Sequence, residues 1–464
     1  MVRGAGPHID ALRARWPDTL LVALDGNPSR ATQELTLIES ELALFQARVR
    51  RALVARLDLW RCAPPDSVLA AVPCEADFQA AIASALEQAE LEHGTVRTLG
   101  PLWLANLLRN LPTIAEVATI QAAGLAWRGS PVLVAGAGPS LATIIPGLQQ
   151  HRERTVVLAA SSALRPLFKH GIVPDAIAII EARDCTHHFD GIPLEVMQRI
   201  VLLAASHTHP THWTWPWAAR VAFHGPVGAW LVPWTGKGTL LPTAGNVGTT
   251  MLVMAWMLGG YPVMAAGLDF ALEGGQYYAT GAGSRVEEHQ AQARSKVIGW
   301  RGESLEATAE LIAYRQGTEL ALQQIMRGDP LARFLSITGR GAKVHGMQFA
   351  PWVKLAPELP LAMRGGLRRA ASAPECLPPP PDTVNDLVHS QLAQVEAELH
   401  AFQQHRGGVG LGVTSSRGHC GLSELLVNIA RQIAESKSEG DPIAMVRRLR
   451  EAWSAIAPLT TTSV

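Results

Sequence analysis

Through the middle of the chain, short apolar runs alternate with stretches whose apolar positions step by three and four. PVLVAG, TVVLAAS, AIAIIEA, RIVLLAAS, RVAFHG and PVMAAGLDF predict strands, and SLATIIPGLQQH, ALRPLFKHG and NVGTTMLVMAWMLGG predict helices between them. Strands rich in Val, Ile, Leu and Ala, spaced by helices, describe a parallel sheet covered on both faces. The expected fold class is α/β: a Rossmann-like parallel sheet with helices on both faces, over residues 101–373. In such sheets ligands sit beyond the carboxyl ends of the strands.

The flanks read differently. Leu35, Ile38, Leu42, Phe45 and Val49 make a one-sided helical stripe, and FQAAIASALEQAELEH continues in that character, so residues 1–100 are expected to be mostly helical. LWLANLLRNLPTIAEVATIQAAG extends the helical pattern up to Pro131. PECLPPPPD, residues 374–382, reads as a stiff linker. Beyond it Val384, Leu387, Leu392, Val395, Leu399 and Phe402 trace another stripe, giving a helical C-terminal domain over 383–464.

One apolar stretch tests the membrane reading. No charge lies between Lys237 and Asp269, but Gly259, Gly260 and Pro262 break the run, so it predicts a buried helix followed by a buried strand. The start, MVRGAGPHIDALRARWPD, lacks the apolar core of a secretory signal, and a cytoplasmic location is expected. Lys plus Arg and Asp plus Glu are both 40, which excludes a broad electrostatic grip on nucleic acid. The five cysteines are scattered without a Cys-x-x-Cys pair, so neither a disulfide framework nor a zinc ribbon fits.

Candidate chemistry gathers at strand ends. Gly136 and Gly138 follow the first strand, where glycine allows a sharp turn and close approach to a ligand. Pro139 suits an early helical turn and Ser140 can cap it or meet a phosphate oxygen. A third glycine at 141 would complete a dinucleotide signature, but the residue is Leu141, and no Gly-Lys-Ser/Thr follows. A tight turn of purely structural purpose is the alternative. Gly245, Asn246, Gly248 and Thr249 open a second glycine-rich helix start, and the next strand ends in Gly267-Leu268-Asp269. Asp269 there could bond a ribose hydroxyl, cap the next element or assist catalysis. Together they outline a nucleotide cleft.

Further along, His207, His209 and His212 in SHTHPTHWTWPW could gather a metal, but a proline interrupts the spacing and no acidic partner follows. No metal site is expected; a loop with Trp213, Trp215 and Trp217 shielding the cleft or stacking on a sugar fits better. His187 and His188 read as a polar loop or a carboxylate contact. Arg183 could pair with a ligand carboxylate or in a surface ion pair. In GRGAKVHG, Arg340, Lys343 and His345 lie among glycines, as in a mobile cationic lid or a β-turn with solvated charges.

In order, LVAGAGPSL, HGIVPDAIAIIEARD, AGNVGTTMLVMAWMLGGYPVMAAGLDFA and ITGRGAKVHG resemble the motility accessory factors, over Leu102 to about Trp352. That family is thought to move nonulosonic, sialic-acid-like sugars from CMP donors to Ser or Thr of flagellin. The Gly-x-Gly-Pro-Ser-Leu turn and Gly-x-Asp-Phe strand end are also similar to bacterial sialyltransferases, and the core to 6-hydroxymethylpterin diphosphokinases. The resemblance implies that Gly136, Ala137, Gly138, Pro139 and Ser140 lie beside the nucleotide phosphate. It implies that Asn246, Val247, Gly248 and Thr249 meet the nucleotide or sugar, and Gly267, Leu268 and Asp269 its base or ribose. Ser161 and Ser162 stand near where the sialyltransferases approach the donor with Asn, and Glu181 where many relatives carry Asp. Where relatives read Tyr and later His, this chain has Leu272 and Tyr278.

Transfer from CMP needs a stabilised leaving phosphate and a base for the acceptor hydroxyl. Glu181, Asp184, Asp269 and His207 are the candidates for the base, and Arg183, Arg340 and Lys343 for a donor carboxylate or lid. The implied partners are a nucleotide sugar and flagellin, with no membrane span and no required cofactor. The diphosphokinase alternative would bring magnesium, held by Glu181 and Asp184. A non-catalytic scaffold that binds nucleotide or flagellin is the third reading.

Overall fold

The computed structural model describes residues 99–372, apart from 101, 108, 243–244 and 273–293, together with 2–3, 23–24, 36–37, 95 and 393. The chain divides into two compact units, 1–98 and 99–464. In the first, β1 (Val2–Arg3), β2 (Ala23–Leu24) and β3 (Thr36–Leu37) form a small parallel sheet. Thr36–Leu37 is therefore strand, which trims the helical stripe read from Leu35. The other helical stretches expected in 1–100, the linker 374–382 and nearly all of 383–464 lie outside the described residues, as does Tyr278.

The second unit is built on a nine-stranded sheet. Its strands are β4 (Ala118–Thr119), β5 (Val132–Ala135), β6 (Val156–Ala160), β7 (Ala176–Ile179), β8 (Val201–Ala205), β9 (Ala219–Phe223), β10 (Val263–Ala266), β13 (Phe334–Ser336) and β14 (Gln348–Phe349). They lie in the order β14-β13-β10-β5-β6-β7-β8-β9-β4, and every pairing is parallel. Every residue of β5, β6, β7, β8 and β10 is buried, as expected for strands covered on both faces. The α/β expectation holds.

The order has one consequence for function. From β5 the chain steps outward strand by strand to β9, then crosses back to place β10 on the other side of β5. The switch point lies between β5 and β10, where such sheets open a crevice at their carboxyl ends. The crossover helix α1 (Val247–Met257) is apolar on all sides and buried from Gly248 to Ala255, so the uncharged run is a core helix. Among the described residues no helix is long and apolar enough to cross a membrane.

Three parts of the fold were not anticipated. The helical pattern before Pro131 ends at residue 116, and Ala118–Thr119 becomes the edge strand beside β9. The antiparallel hairpin β11 (Arg294–Ile298) and β12 (Ser304–Thr308) leads into α2 (Ala309–Gly328). Thr308 caps α2 by accepting from the Leu311 amide, and Leu311, Thr318, Ala321, Leu322 and Ile325 form its buried stripe. Short β13 and β14 then complete the sheet.

Candidate functional site

At the switch point the two strand ends are stitched together. The Gly136 amide donates to Ala266 O (2.8 Å) and the Gly138 amide to Gly267 O (2.9 Å). Asp269, only 6% exposed, accepts from the Ser140 amide at 2.8 Å, and its other oxygen accepts from the Ser140 hydroxyl. That hydroxyl in turn accepts from the Gly267 amide at 3.0 Å. The anion at this helical start is thus the protein's own carboxylate. Ser140 and Asp269, both assigned to the nucleotide by resemblance, bond first to each other. Among the described residues the Ala137 amide in the turn has no hydrogen-bond partner.

Close approach explains the glycines. A Cβ on Gly136 would lie 2.3 Å from Gly267 O and 2.5 Å from Leu268 Cδ2, and one on Gly138 would lie 2.5 Å from Asp269 Oδ2. A Cβ on Gly248 would meet the same Leu268 methyl at 2.7 Å. Leu268 is therefore wedged between the two glycine-rich starts. Asn246 caps α1, its Oδ1 accepting from the Thr249 amide at 2.9 Å, and Thr249 Oγ1 bonds Thr318 of α2 at 2.7 Å. The sheet topology and these contacts bring Gly136–Ser140, Asn246–Thr249 and Gly267–Asp269 together. Pro139 opens the short 3-10 turn over Pro139–Thr143, and Val247 is half-buried at the start of α1.

The neighbouring strand ends carry a histidine-rich group. Ser161, after β6, is buried and bonds His188 Nδ1 at 3.0 Å; Ser162 is half-buried. Glu181, after β7, is exposed, and its Oε1 accepts from the Arg183 amide; Arg183 is exposed as well. Asp184 accepts from the Thr186 amide at 2.9 Å. Burial pushes the Asp184 carboxyl up, but the Thr186 bonds, with His209 and His212, hold it below its usual range. His212 Nε2 accepts from the Cys185 amide at 3.1 Å and lies 3.2 Å from its Sγ. Burial raises that thiol to about 12 and lowers His212 and His188 to about 4.

His207, after β8, is buried against Trp103, and burial lowers it to about 4. It is a weak base enclosed in the core, whereas candidates Glu181 and Asp184 are both exposed. His207, His209 and His212 do not gather: among the described residues no group of three or more His, Cys, Asp or Glu is arranged to hold a metal. The tryptophans are packing groups. Trp213 and Trp217 are buried, and Trp215 and Trp217 contact Phe189 edge-on.

Sequence reading missed Asn106 and Asn110, one turn apart on the helical stretch before β4. Asn106 Nδ2 donates to Ala182 O (2.8 Å) and His207 O (3.3 Å), and Asn110 Nδ2 to Ser206 O (3.0 Å) and Thr208 O (2.8 Å). Both are buried, so the pair fixes the turns beyond β7 and β8. Two Asn four apart on an apolar face was the available signal.

The GRGAKVHG segment is anchored rather than hinged. Ala342 N donates to Asp269 O at 2.7 Å, Lys343 N to Ile298 O at 2.9 Å, and His345 N to Glu319 Oε1 at 3.0 Å. Arg340, Lys343 and His345 remain exposed on it. Leu272 is buried and its amide donates to Glu306 O of β12 at 2.7 Å.

Residues 105–275 match the family model of 6-hydroxymethylpterin diphosphokinase MptE-like proteins. The match takes in both glycine-rich starts and the Asp269 strand end. The chain is also similar to the MAf glycosyltransferase from Magnetospirillum magneticum AMB-1, with a TM-score of 0.51 and 16% sequence identity. That likeness covers 93% of this chain and 64% of the other, and it is a likeness of fold. No curated protein matches.

Proposed function

We propose that this chain is a glycosyltransferase that moves a nonulosonic, sialic-acid-like sugar from a CMP donor to Ser or Thr of flagellin, in the cytoplasm. The reading is carried by the convergence of both glycine-rich starts and the Asp269 strand end at the β5/β10 switch point. It is supported by a fold shared with a MAf glycosyltransferase. The nucleotide lies across that crevice, its phosphate toward the Ala137 amide and the α1 start. The Ser140–Asp269 bond holds the floor.

Departure of CMP leaves a cationic sugar, and the acceptor hydroxyl must lose its proton to a base. Glu181 takes that role. It is an exposed carboxylate directly beyond β7, two strands from β5, or about 10 Å at the usual strand spacing. That span separates phosphate from acceptor. CMP carries a single phosphate, so transfer proceeds without a metal clamp: activity persists in excess chelator, and magnesium-restored collapse would reject this. Intact-mass analysis of flagellin from cells with and without the protein tests the whole reading. The expected result is a loss of sugar-sized mass; equal masses overturn it.

The family match over residues 105–275 favours a second reading, pyrophosphoryl transfer to a pterin. It needs magnesium held by carboxylates, for which Glu181 and Asp184 are the available pair. A thermal-shift panel separates the two: stabilisation by CMP supports the first, and a response only to ATP or GTP with magnesium supports the second.

A further inference from the structure

We propose that the amino edge of the nine-stranded sheet docks on a lipid bilayer rich in anionic phosphate headgroups. Because the strands of that sheet are all parallel, the turns that enter them share one edge, opposite the β5/β10 crevice. Residues 359–366 run across those turns as a strap. Arg154 donates to Leu359 O, Ala362 N to Glu153 O at 3.0 Å, and Met363 N to Ser130 Oγ at 3.0 Å. Ser130 O accepts from the Tyr261 amide at 2.8 Å, so the strap and the starts of β5, β6 and β10 form one surface.

That surface is apolar and cationic at once. Leu125, Tyr261, Leu331, Leu361 and Met363 are exposed, Leu331 by 81% and Leu361 by 70%, and each lies in the strap or in a turn entering β5, β10 or β13. Asp175, before β7, has both oxygens taken, by Arg152 at 2.7 Å and Arg364 at 3.0 Å. Burial lowers the Arg152 pKa, and the charges of Arg364 and nearby Arg199 push it the same way, against Asp175. Asp329, before β13, accepts from Trp256 Nε1 and the Leu331 amide, and Glu153 lies 3.6 Å from Arg154. Arg128, Arg199 and Arg333 lead into β5, β8 and β13, and their guanidinium groups make no hydrogen bond or ion pair among the described residues. Exposed Glu358 offsets part of that charge.

An anionic headgroup layer complements the arginines, while exposed leucine, tyrosine and methionine side chains enter the boundary with the acyl chains. A nucleic acid would take up the charge and leave Leu331 and Leu361 in water. A folded protein partner would need a contiguous apolar centre with charge at its rim. Here the two kinds of side chain alternate turn by turn: Leu125 with Arg128, Leu331 with Arg333, and Met363 with Arg364. The surface is independent of the glycosyltransferase reading, and docking through it keeps the β5/β10 crevice turned away from the bilayer.

The test is sedimentation of the full chain with vesicles of phosphatidylcholine alone, and of phosphatidylcholine and phosphatidylglycerol in equal parts. The parent chain is expected on the anionic vesicles only. Arg128→Gln with Arg333→Gln should weaken that binding about tenfold or more, and Leu331→Ser with Leu361→Ser about fivefold. Lys296→Gln with Arg301→Gln removes the same charge from the β11–β12 hairpin beside Asp269. That variant should stay within about twofold of the parent, because charges farther than a Debye length from the bilayer are screened. All six side chains are exposed, and unchanged melting temperatures establish that the variants fold. A parent chain that ignores anionic vesicles overturns the proposal. So do unchanged binding by either amino-edge variant and an equal loss by the hairpin variant. Capture of single-stranded RNA in place of vesicles overturns it too, and assigns the edge to nucleic acid.

Discussion

Two stretches of the sheet's carboxyl edge are built on opposite terms. At β5 and β10, Gly136, Gly138, Ser140, Gly267 and Asp269 exchange hydrogen bonds across backbones that touch. At β8 and β9, buried Asn106 Oδ1, Ser206 Oγ, His207 Nδ1, Thr208 Oγ1 and His224 Nδ1 make no hydrogen bond among the described residues. His224 Nε2 lies 2.9 Å from Thr235 Oγ1, and burial lowers its pKa to about 3. The first region is closed by bonded polar groups, while the second holds neutral histidines in the core against their tendency to protonate. A site floor must be rigid, and at β5 and β10 that rigidity comes from backbones in direct contact, whereas at β8 it comes from the Asn106 and Asn110 side chains.

The same change made at both places should give very different results. Gly136→Ala drives a methyl into the Gly267 backbone, which cannot yield, and should cost about 3 kcal/mol or more in urea unfolding of the full chain. A loss under about 1 kcal/mol would mean that the strand ends are not locked. Next, Asp269→Ala strands the buried Ser140 amide and hydroxyl, with an expected cost of about 2–3 kcal/mol; Asp269→Asn should recover part of it. Full stability of Asp269→Ala would assign the carboxylate to ligand alone.

The β8–β9 region should respond to acid instead. His207 and His224 are neutral in the fold, at about 4 and 3, against an ordinary 6.5. Below pH 6.5 the unfolded chain takes up protons that the folded chain refuses. Stability is therefore full above that pH and is lost as pH falls toward 4, by up to about 1.4 kcal/mol per pH unit for each histidine. Unfolding at pH 7.5, 6 and 5 should show that slope, and His224→Gln should reduce it by one proton. A flat profile would contradict buried neutral histidines. The smallest effect is expected for Gly228→Ala, whose methyl would lie nearest the side chains of Ser206 and His224, at 2.8 and 3.0 Å; about 1 kcal/mol is expected. A loss equal to that of Gly136→Ala would erase the distinction between the two regions.

Much of this was legible in advance. The Val- and Ala-rich runs identified β5 to β10 because strands buried on both faces carry no polar alternation, and Gly259 and Pro262 separated α1 from β10. The alternation could not reveal what the glycines approach. Gly136 and Gly248 read as ligand turns, whereas their missing Cβ atoms make room for Leu268 and the β10 backbone. Two-residue Ala118–Thr119 has no pattern to detect, and its strand character comes from pairing with β9. The bridge from Gly299 in the β11–β12 turn to Ala342 was invisible as well, because it joins segments far apart in the chain.

A crystal structure of the full chain with CMP bears most directly on the claim that the β5/β10 switch point is the nucleotide site. The expected result is a nucleotide across the strand ends, its phosphate oxygen bonded to the Ala137 amide while Ser140 and Asp269 stay joined. CMP seated beyond β8 and β9, or a phosphate that displaces Asp269 from Ser140, would contradict it.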